Sequence, residues 1–516
     1  MTSNAVSSGA AALCSESALG DAIAAAVSNL KLKFAGEDAL LFRGVSLSLR
    51  KGEHTLMLGP SGCGKSTLLQ VLSGLIPSSI EVPMLADETV VPERWGYVFQ
   101  DPDTQFCMPY VDEELAFVLE NLQVPREQMS ARIVLHLQQV GLDLPDPHVP
   151  IQTLSQGMKQ RLAIATALAT EPEVLFLDEP TALLDEEGTD QVWRTIRSVA
   201  DDMTLIAVEH KIEGVADLFD RIVVVGPSGE IVADGAPVDI FAKYKLELIR
   251  YGIWYPGIWE ERDRKLGTRW DVTERTEGSA RPNGEHLKSP MLELQEYCGL
   301  RGAKTVIKIE KAEVKPGDWI AIMGDNGAGK SSLLLAIMRL IQTEGLCRMA
   351  GKELRKTERL AEHVAFVFQN PEFQFVTNTV RDEIEYSLLV DGMEAGERRE
   401  RSERLMEELQ LAECASRHPY QLSMGQKRRL SVASAIVRGQ RLLLLLDEPT
   451  FGLDARNAFA LLELLERLRS EGAAILMATH DPRIAERYCT AVWRVREGRL
   501  ADAIDLSPST DVAASR

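Results

Sequence analysis

Short apolar runs of four or five residues recur along this chain, and longer polar stretches separate them. Such runs predict buried strands, since strands in the core of a parallel sheet are apolar on both faces. Polar stretches of helix-forming composition at 125–140 and 394–410 predict helices. The alternation of strand and helix predicts an α/β fold with a parallel sheet. The strands are predicted at 55–58, 174–177, 205–208, 320–323, 442–446 and 474–478.

A glycine-rich loop follows the first of these runs and precedes an apolar, helix-forming stretch at 68–72. The loop matches the pattern G-x-x-x-x-G-K-[ST], in which glycines let backbone N–H groups wrap a polyphosphate and the helix N-terminus adds partial positive charge. An ordinary glycine-rich turn would not supply the lysine for the β- and γ-phosphates or the hydroxyl for Mg²⁺. The pattern predicts a nucleotide site at Gly59, Pro60, Ser61, Gly62, Cys63, Gly64, Lys65, Ser66 and Thr67.

The same motifs occur twice in the same order, at an offset of about 265 to 270 residues. Ordered coincidences on this scale predict two copies of one domain, here called copy one and copy two. The segments 98–102, 154–157 and 177–181 return as 367–371, 422–425 and 446–450, and Glu209-His210 returns as Thr479-His480. The second phosphate loop comprises Gly324, Asp325, Asn326, Gly327, Ala328, Gly329, Lys330, Ser331 and Ser332.

The repeat and the composition together divide the chain into domains and connecting segments. A hairpin is predicted to close each copy, at 222–231 and 491–500, and the aromatic-rich stretch 243–259 is expected to pack on copy one. The expected boundaries are a flexible extension at 1–29, copy one at 30–245, a linker at 246–290, copy two at 291–503 and a disordered tail at 504–516.

Composition excludes several classes of protein. The net charge of −20 and the isoelectric point near 5.0 argue against a general nucleic-acid binder. The seven cysteines are scattered singly, which favours a reduced cytosol over zinc binding or secretion. No run reaches the roughly 18 apolar residues of a membrane span, and no basic residue precedes Lys31, so the N-terminus is a poor signal peptide. Any membrane role would therefore come through partner chains.

Paired carboxylates end one predicted strand in each copy. Asp178 and Asp447 occupy the position that holds Mg²⁺ in phosphate-loop ATPases. The adjacent Glu179 and Glu448 could activate the attacking water as general bases. Carboxylates at a strand end are elsewhere plain solvated turn residues, but the phosphate loop upstream of each pair favours the catalytic interpretation.

The order of phosphate loop, glutamine, Leu-Ser-x-Gly, Leu-Asp-Glu-Pro-Thr and histidine resembles the ATP-binding-cassette (ABC) ATPase family. The resemblance covers residues 30–245 and 291–503, and Leu-Ser-x-Gly separates this family from other phosphate-loop proteins. It implies two tandem nucleotide-binding domains, each with a parallel β core, an antiparallel β subdomain and a helical subdomain. It also implies hydrolysis of ATP with Mg²⁺ and a head-to-tail pair of domains within one chain.

In this family, the Leu-Ser-x-Gly signature of one domain faces the nucleotide that the other domain holds. The resemblance implies a switch-histidine role for His210 and His480 and a D-loop role for Asp185 and Asp454. Phe34 and Tyr297 lie where an aromatic residue commonly stacks on adenine, although an aromatic residue in a β-strand more often belongs to the core. One implied site combines Lys65, Ser66, Gln100, Asp178, Glu179 and His210 with Ser423 and Gly425. The other combines Lys330, Ser331, Gln369, Asp447, Glu448 and His480 with Ser155 and Gly157. Gln100 and Gln369 are implied to touch Mg²⁺.

Met158 in the signature of copy one and Cys63 in its phosphate loop stand out within these motifs. The family's usual Ser-Gly-Gly-Gln ends with Met158 in copy one and with Gln426 in copy two. Met158 lacks a polar side chain that could contact nucleotide. The ATP site that the signature of copy one completes is therefore expected to be weaker, although two hydrolytically competent sites are still predicted. Cys63 lies near a helix N-terminus, which favours a thiolate, but a small space-filling residue is the preferred interpretation.

Both glutamine loops read F-Q-x-P-x-x-Q-F, at 99–106 and 368–375, and an acidic helix-forming stretch follows each. This signature resembles the energy-coupling-factor group of vitamin and metal importers, particularly members linked to uptake of the thiamine precursor hydroxymethylpyrimidine. The resemblance implies integral membrane partners, a location at the cytoplasmic face of the cell membrane, no nucleic-acid partner, and an exposed groove near Phe106, Phe373 and Phe375. A simple-sugar importer ATPase and a soluble tandem-cassette translation factor are the alternatives.

Overall fold

The computed structural model describes residues 23–36, 39–182, 184, 186–200, 203–210, 212, 214–266, 290–353, 360–439 and 443–506. The chain divides into two compact units, residues 1–251 and 252–516, and each is described by itself. Among the described residues, no helix is both long and apolar enough to cross a membrane.

The first unit contains two sheets with helices between their strands. Strands β1 (Ile23–Leu32), β2 (Phe42–Arg50), β4 (Met84–Leu85) and β5 (Glu88–Val90) pair antiparallel. The second sheet, in the order β10-β9-β3-β8-β7-β6, contains β3 (His54–Leu58), β6 (Trp95–Val98), β7 (Val174–Asp178), β8 (Thr204–Val208), β9 (Arg221–Val225) and β10 (Ile231–Gly235). Its strands are parallel except for β10. The helices are α1 (Lys65–Leu72), α2 (Leu75–Ser78), α3 (Val111–Asn121), α4 (Arg126–Gln139), α5 (Gln156–Leu168), α6 (Glu186–Val199), α7 (Pro237–Lys243) and α8 (Lys245–Tyr251).

The second unit repeats this plan in one continuous sheet, in the order β15-β14-β11-β12-β20-β19-β13-β18-β17-β16. Its strands are β11 (Leu292–Arg301), β12 (Lys304–Val314), β13 (Trp319–Met323), β14 (Gln342–Met349), β15 (Lys352–Glu353), β16 (Val364–Val367), β17 (Leu443–Asp447), β18 (Ala474–Ala478), β19 (Ala491–Arg496) and β20 (Arg499–Asp505). Its helices are α9 (Ile258–Leu266), α10 (Lys330–Ile337), α11 (Val380–Val390), α12 (Ala395–Glu408), α13 (Met424–Ile436), α14 (Ala455–Ser470) and α15 (Pro482–Tyr488). The predicted α/β class with two phosphate-loop domains is confirmed.

Strand order brings the predicted motifs to one edge of each parallel sheet. In the first unit β3 lies next to β8, and β8 lies next to β7, with Asp178 opposite Val208. In the second unit β13, β18 and β17 are neighbours in the same way, with Asp447 opposite Ala478. Strands β7, β8, β17 and β18 are buried along their whole length, which explains why their sequences are apolar throughout.

The N-terminal boundary expected from sequence is wrong by several residues. Strand β1 begins at Ile23 and pairs with β2, so residues 23–29 belong to the sheet and not to a flexible extension. Ala24, Ala25 and Val27 are buried in it. The small residues of β1 give it a composition typical of flexible segments, but its hydrogen bonds to β2 hold it in the sheet. The rest of the expected extension lies outside the described residues.

The second half of the aromatic stretch 243–259 departs from its predicted place on copy one, whereas residues 243–251 belong to the first unit. Trp254 and Trp259 pack on Phe459 of helix α14 in the second unit, with ring centroids 5.5 and 4.9 Å away. The stretch was expected on copy one because it follows copy one in sequence, and sequence distance does not decide packing. The expected linker, 246–290, thus includes most of helix α8 and a segment that packs on the second unit. Residues 267–289 of it lie outside the described part of the chain.

Candidate functional site

The phosphate loop of copy one turns tightly because its glycines adopt left-handed conformations. Gly62 and Gly64 have φ of 82° and 99°, which residues with a Cβ adopt at a cost. Lys65 opens helix α1 and is buried, and its Nζ donates to the carbonyls of Gly59 and Pro60, at 2.9 and 3.0 Å. The ammonium group is therefore held inside the loop where phosphate oxygens would bind.

Asp178 joins the strand end to the phosphate loop. Ser66 Oγ donates to Asp178 Oδ1 at 2.7 Å, and the Tyr97 hydroxyl donates to Oδ2 at 3.2 Å. Burial raises the pKa of Asp178 to about 6, and the hydrogen bonds from Ser66 and Tyr97 oppose that rise. A buried carboxylate beside a hydroxyl is a donor set that suits Mg²⁺, whose charge would favour the ionised form.

Glu179 lies between the predicted switch histidine and the predicted loop glutamine. His210 Nε2 is 2.9 Å from Glu179 Oε1, and the Gln100 amide donates to Oε2 at 2.8 Å. Burial raises the pKa of the Glu179 carboxyl, but the charge and hydrogen bond of His210 outweigh burial and leave that pKa below its ordinary value. Its backbone has a φ of 49°, a left-handed conformation that non-glycine residues adopt chiefly where the surroundings enforce it.

Copy two builds the same arrangement with different supports. Lys330 Nζ donates to the carbonyls of Gly324 and Asp325, at 2.6 and 3.2 Å. Burial raises the pKa of Asp447 to about 6, and the Ser331 hydroxyl opposes that rise. Asp447 Oδ1 is buried without a hydrogen-bond partner. An orphaned carboxylate oxygen at this place fits a metal ligand, since buried polar atoms are otherwise almost always paired.

The predicted base and the predicted switch histidine of copy two also lie in contact. His480 Nδ1 is 3.1 Å from Glu448 Oε2, and the ring of Phe451 packs edge-on against His480. Glu448 has a φ of 50° and is buried. The two copies therefore place a carboxylate against a histidine at the end of equivalent strands, although different ring nitrogens face the carboxylates.

The signature serines start helices in both copies. Ser155 accepts a hydrogen bond from Met158 N, and Ser423 accepts one from Gln426 N, so both residues act as N-caps. In copy two the Gln426 side chain also accepts from Ser423 N at 3.0 Å, which completes a capping box. Met158 cannot make that second bond. Gly157 is half-buried and Gly425 is buried in the first turns of these helices.

The glutamine loops are anchored by residues of their own motif. Gln374 Nε2 donates to Ser431 O and Ser434 Oγ of helix α13. The acidic stretch that follows is not merely a solvated face, because buried Glu383 accepts the backbone N–H groups of Val376 and Thr377. Copy one repeats both devices with Gln105, which donates to Ala163 O and Thr166 Oγ1, and with Glu114, which accepts from Cys107 N and Met108 N.

Other predicted site residues fall in different places. Tyr297 is fully buried and donates its hydroxyl to Ala336 O at 2.6 Å, so of the two interpretations the core position applies and the adenine contact does not. An aromatic residue in a strand packs into the core when its face of the sheet is covered. Phe34 is 40% exposed just after β1, and its role stays a prediction. Cys63 is buried, and burial raises the pKa of its thiol, which supports the space-filling interpretation.

Only some of the residues near the motifs lie where the predictions need them. Asp185 lies outside the described residues, whereas Asp454 is the N-cap of helix α14. Phe375 is buried and cannot line the expected exposed groove, while Phe373 is 76% exposed and Phe106 is half-buried. Gln369 is exposed next to the anchored loop of copy two.

Sequence reasoning missed several residues that support the site. Besides Tyr97, these are Glu209, which contacts the Thr181 hydroxyl and accepts from His210 N at 2.9 Å, and Arg428 on helix α13. Burial raises the pKa of Glu209 to about 7. Burial lowers the pKa of Arg428 to about 10, and the negative charges of Asp447 and Glu448 oppose that fall. The repeat contained a signal for both, since each differs from its equivalent in the other copy. Glu209 corresponds to Thr479, and Arg428 corresponds to Gln160.

Comparison with known proteins agrees with this geometry. The family model described as ABC transporter matches residues 42–182 and 308–451. A Bacillus subtilis (strain 168) protein named "Putative HMP/thiamine import ATP-binding protein YkoD" is 35% identical over 94% of this chain and 91% of its own length. A Methanosarcina acetivorans protein named "Putative ABC transporter ATP-binding protein" is 33% identical over 90% of this chain and 83% of its own length.

A solved structure also resembles the chain over most of its length. The crystal structure of archaeal ribosomal stalk protein aP1 with archaeal ribosome recycling factor aABCE1 matches with a TM-score of 0.60. That match covers 94% of this chain and 90% of the other at 20% identity, so it speaks for the fold alone. The family matches show that this chain belongs to the ABC transporter family and is an ABC ATPase with two ATP-binding domains.

Proposed function

We propose that this chain is the ATP-hydrolysing subunit of a membrane importer, acting at the cytoplasmic face of the cell membrane. The observation that carries the proposal is the duplicated set of phosphate loop, strand-end aspartate, glutamate and histidine. A pair of complete sets favours a chain in which both copies hydrolyse ATP. The name of the B. subtilis relative supports import as the process that uses the energy.

In the proposed reaction, Glu179 and Glu448 each accept the proton of the water that attacks the γ-phosphate. Their contacts with His210 and His480, at 2.9 and 3.1 Å, hold each carboxylate in one orientation. Lys65 and Lys330 bind the phosphates from inside their loops. A general base must be ionised to accept a proton. The lowered pKa of Glu179 keeps its carboxyl ionised at physiological pH, as this role requires.

Mg²⁺ would be held by Ser66, Asp178 and Gln100 in copy one and by Ser331, Asp447 and Gln369 in copy two. The orphaned Oδ1 of Asp447 and the hydroxyl beside Asp178 fit such an ion. When bound, the ion supplies charge that stabilises the phosphate oxygens during transfer. Each aspartate must be ionised for this purpose, so its raised pKa places metal binding in competition with a proton.

We also propose that the copies complete each other, as the family resemblance implies. Ser423 and Gly425 would act on the nucleotide of Lys65, and Ser155 and Gly157 on the nucleotide of Lys330. The helix N-termini that these residues cap supply N–H groups of the kind that bind phosphate oxygens.

The anchored glutamine loops are the proposed contact with transmembrane partners. Copy two presents Phe373, Val376 and Tyr420 at 76, 67 and 52% exposure around its loop. Soluble proteins seldom leave clustered large apolar side chains uncovered unless a partner covers them. The loop beneath them is fixed by Glu383 and Gln374, so it can transmit a movement instead of absorbing it.

For the transported substrate, we propose hydroxymethylpyrimidine or thiamine, because the F-Q-x-P-x-x-Q-F loops and the B. subtilis relative both favour this class. The test is uptake of labelled compounds by cells that lack this gene. Complementation with the wild-type chain should restore uptake of hydroxymethylpyrimidine or thiamine, and the chain with both Glu179→Gln and Glu448→Gln should not. Restored uptake of a metal ion or a simple sugar would overturn the substrate, and sedimentation with ribosomes instead of membranes would overturn import.

A further inference from the structure

A short segment between the two copies, residues 252–264, is packed on copy two, against helices α14 and α15 and the residues just before α14. This segment, here called the clasp, contains a turn followed by most of helix α9. Ile253, Tyr255, Ile258 and Trp259 are buried, so the clasp is part of the second unit's packed structure. Its contacts reach the loop after Glu448 and helix α15, which follows His480.

The first set of contacts fixes the loop that follows Glu448. The carbonyl of Gly252 accepts from Ala455 N at 2.8 Å, and Trp254 Nε1 donates to Leu453 O at 3.1 Å. Asp454, between those residues, caps helix α14 by accepting from Asn457 N. Hydrogen bonds on either side of Asp454 therefore hold both the D-loop residue and the start of the helix behind it.

The second set of contacts reaches helix α15, which begins two residues after His480. Arg487 Nε donates to Asp263 Oδ2 at 2.9 Å, and the Arg487 guanidinium lies 5.3 Å from the ring centroid of Trp259. Arg262 Nε donates to the Tyr488 hydroxyl at 3.2 Å. The guanidinium of Arg262 also lies 4.4 Å from the ring centroid of Phe459 in helix α14. The clasp thus joins α14 to α15 through buried Trp259 and the half-buried Arg262 and Asp263.

We propose that the clasp is a positioning element for ATP hydrolysis by copy two. By tying the loop after Glu448 to the helix after His480, it keeps the carboxylate and the imidazole at their contact distance. Glu448 has a left-handed backbone, which persists only where neighbouring structure enforces it. The inference rests on the proposed function of Glu448 as the base, and it goes beyond that proposal by assigning a role to the chain between the copies.

Two glycines of the clasp offer a matched pair for the test. Gly252 and Gly257 have similar left-handed φ values of 70° and 82°. A Cβ at Gly252 would meet Arg456 Cβ at 2.9 Å and Asp454 Oδ1 at 3.0 Å. A Cβ at Gly257 would find nothing nearer than Glu260 Oε2 at 3.9 Å. Both alanine variants carry the same backbone strain, but only Gly252→Ala pushes on the D-loop.

The experiment measures ATP hydrolysis by the full chain carrying Glu179→Gln, so that copy two supplies the activity. Gly252→Ala should lower kcat by about tenfold, since small misplacements of reacting groups have effects of this size, and should leave the Kd for ATP within about twofold. Trp254→Phe keeps a ring beside Phe459 but removes the N–H donor, and should lower kcat by about threefold. Gly257→Ala should match the parent.

Equal kcat values for Gly252→Ala and Gly257→Ala would overturn the proposal. A loss of ATP affinity in proportion to kcat would also overturn it, because it would indicate general damage to the domain. The double variant Glu179→Gln with Glu448→Gln tests the proposed base separately, since an unchanged rate there refutes the base alone. In that case hydrogen exchange decides: faster exchange around Ala455 in Gly252→Ala only supports the clasp, and equal exchange in both variants refutes it.

Discussion

In copy one a buried glutamate, Glu209, precedes the proposed switch histidine, whereas in copy two a threonine, Thr479, takes that place. The signature helices differ in the same manner, with Gln160 in copy one and Arg428 in copy two both donating to the backbone before the loop glutamine. The groups proposed to act on ATP are alike in the two copies. The differences lie in the buried residues beside those groups. The two copies therefore hold similar reactive side chains in place with different neighbours.

The largest effect should come from the proposed bases. The chain with both Glu179→Gln and Glu448→Gln should lose at least about 100-fold of its ATPase rate, because general base catalysis is worth that much or more. Each single variant should lower the steady-state rate as well. Nucleotide binding by each variant is the control, and it should be retained. If one single variant kept the wild-type rate, two competent sites would be the wrong description.

The buried arginine should separate the copies by their need for Mg²⁺. The positive charge of Arg428 lowers the pKa of Asp447, which burial raises to about 6. Arg428→Gln, which mimics copy one, removes a positive charge that repels Mg²⁺ beside its proposed ligand Asp447, so it should lower the Mg²⁺ concentration for half-maximal activity of copy two by about three- to tenfold at neutral pH. The measurement is a Mg²⁺ titration of ATPase rate in the Glu179→Gln chain. The same change in the Glu448→Gln chain should leave the titration of copy one unmoved, and an equal shift in both would contradict this account.

Glu209 should give copy one a pH dependence that copy two lacks. Burial raises its pKa to about 7, so the folded protein holds a proton that the unfolded chain releases above about 4.5. The free energy of unfolding should therefore fall as pH rises between those values and level off above them. Glu209→Gln should reduce the drop in melting temperature of the first unit between pH 5 and pH 8 by about 2–5 °C.

Thr479→Val is the matched variant for that experiment, because a threonine in the same place does not titrate. It should leave the pH slope of the melting temperature as it is in the wild type. Parallel slopes for Glu209→Gln and the wild type would show that Glu209 stays ionised through this range.

The smallest effect should come from exchanging Met158 and Gln426, which lie three residues after the signature serines of the two copies. Met158→Gln supplies the acceptor for a capping box, and Gln426→Met removes the one between Gln426 and Ser423. A capping interaction is worth about 0.5–1 kcal/mol, so the melting temperatures should move up and down by about 1–3 °C. A change of ATP affinity above about threefold without a change in melting temperature would instead favour direct contact of this side chain with nucleotide.

The phosphate loops and strand-end carboxylates could be predicted because their signals are local. A buried strand, a glycine turn and a helix start lie within about twenty residues, and the repeat confirmed each pattern against its copy. The contact between Glu179 and His210 also follows from strand order, since parallel strands end at one edge of a sheet.

The remaining features depend on packing between distant segments, which local pattern does not encode. Tyr297 is buried because helix α10 packs over its strand and accepts its hydroxyl, not because its own neighbours in sequence are apolar. Trp259 packs between helices α14 and α15, more than 190 residues away in sequence. Strand β1 is ordered by its pairing with β2, whereas its alanine-rich composition by itself is typical of loose chain.

Central to this account is the claim that both copies of the one chain hydrolyse ATP with the same pair of side chains. A rapid-quench experiment with ATP prebound in excess counts the ADP that forms in the first turnover of each chain. We expect ADP from both copies in the wild type, from one copy in either single glutamine variant, and from neither in the double variant. ADP from a single copy in the wild type, with one of the single variants indistinguishable from it, would contradict the account.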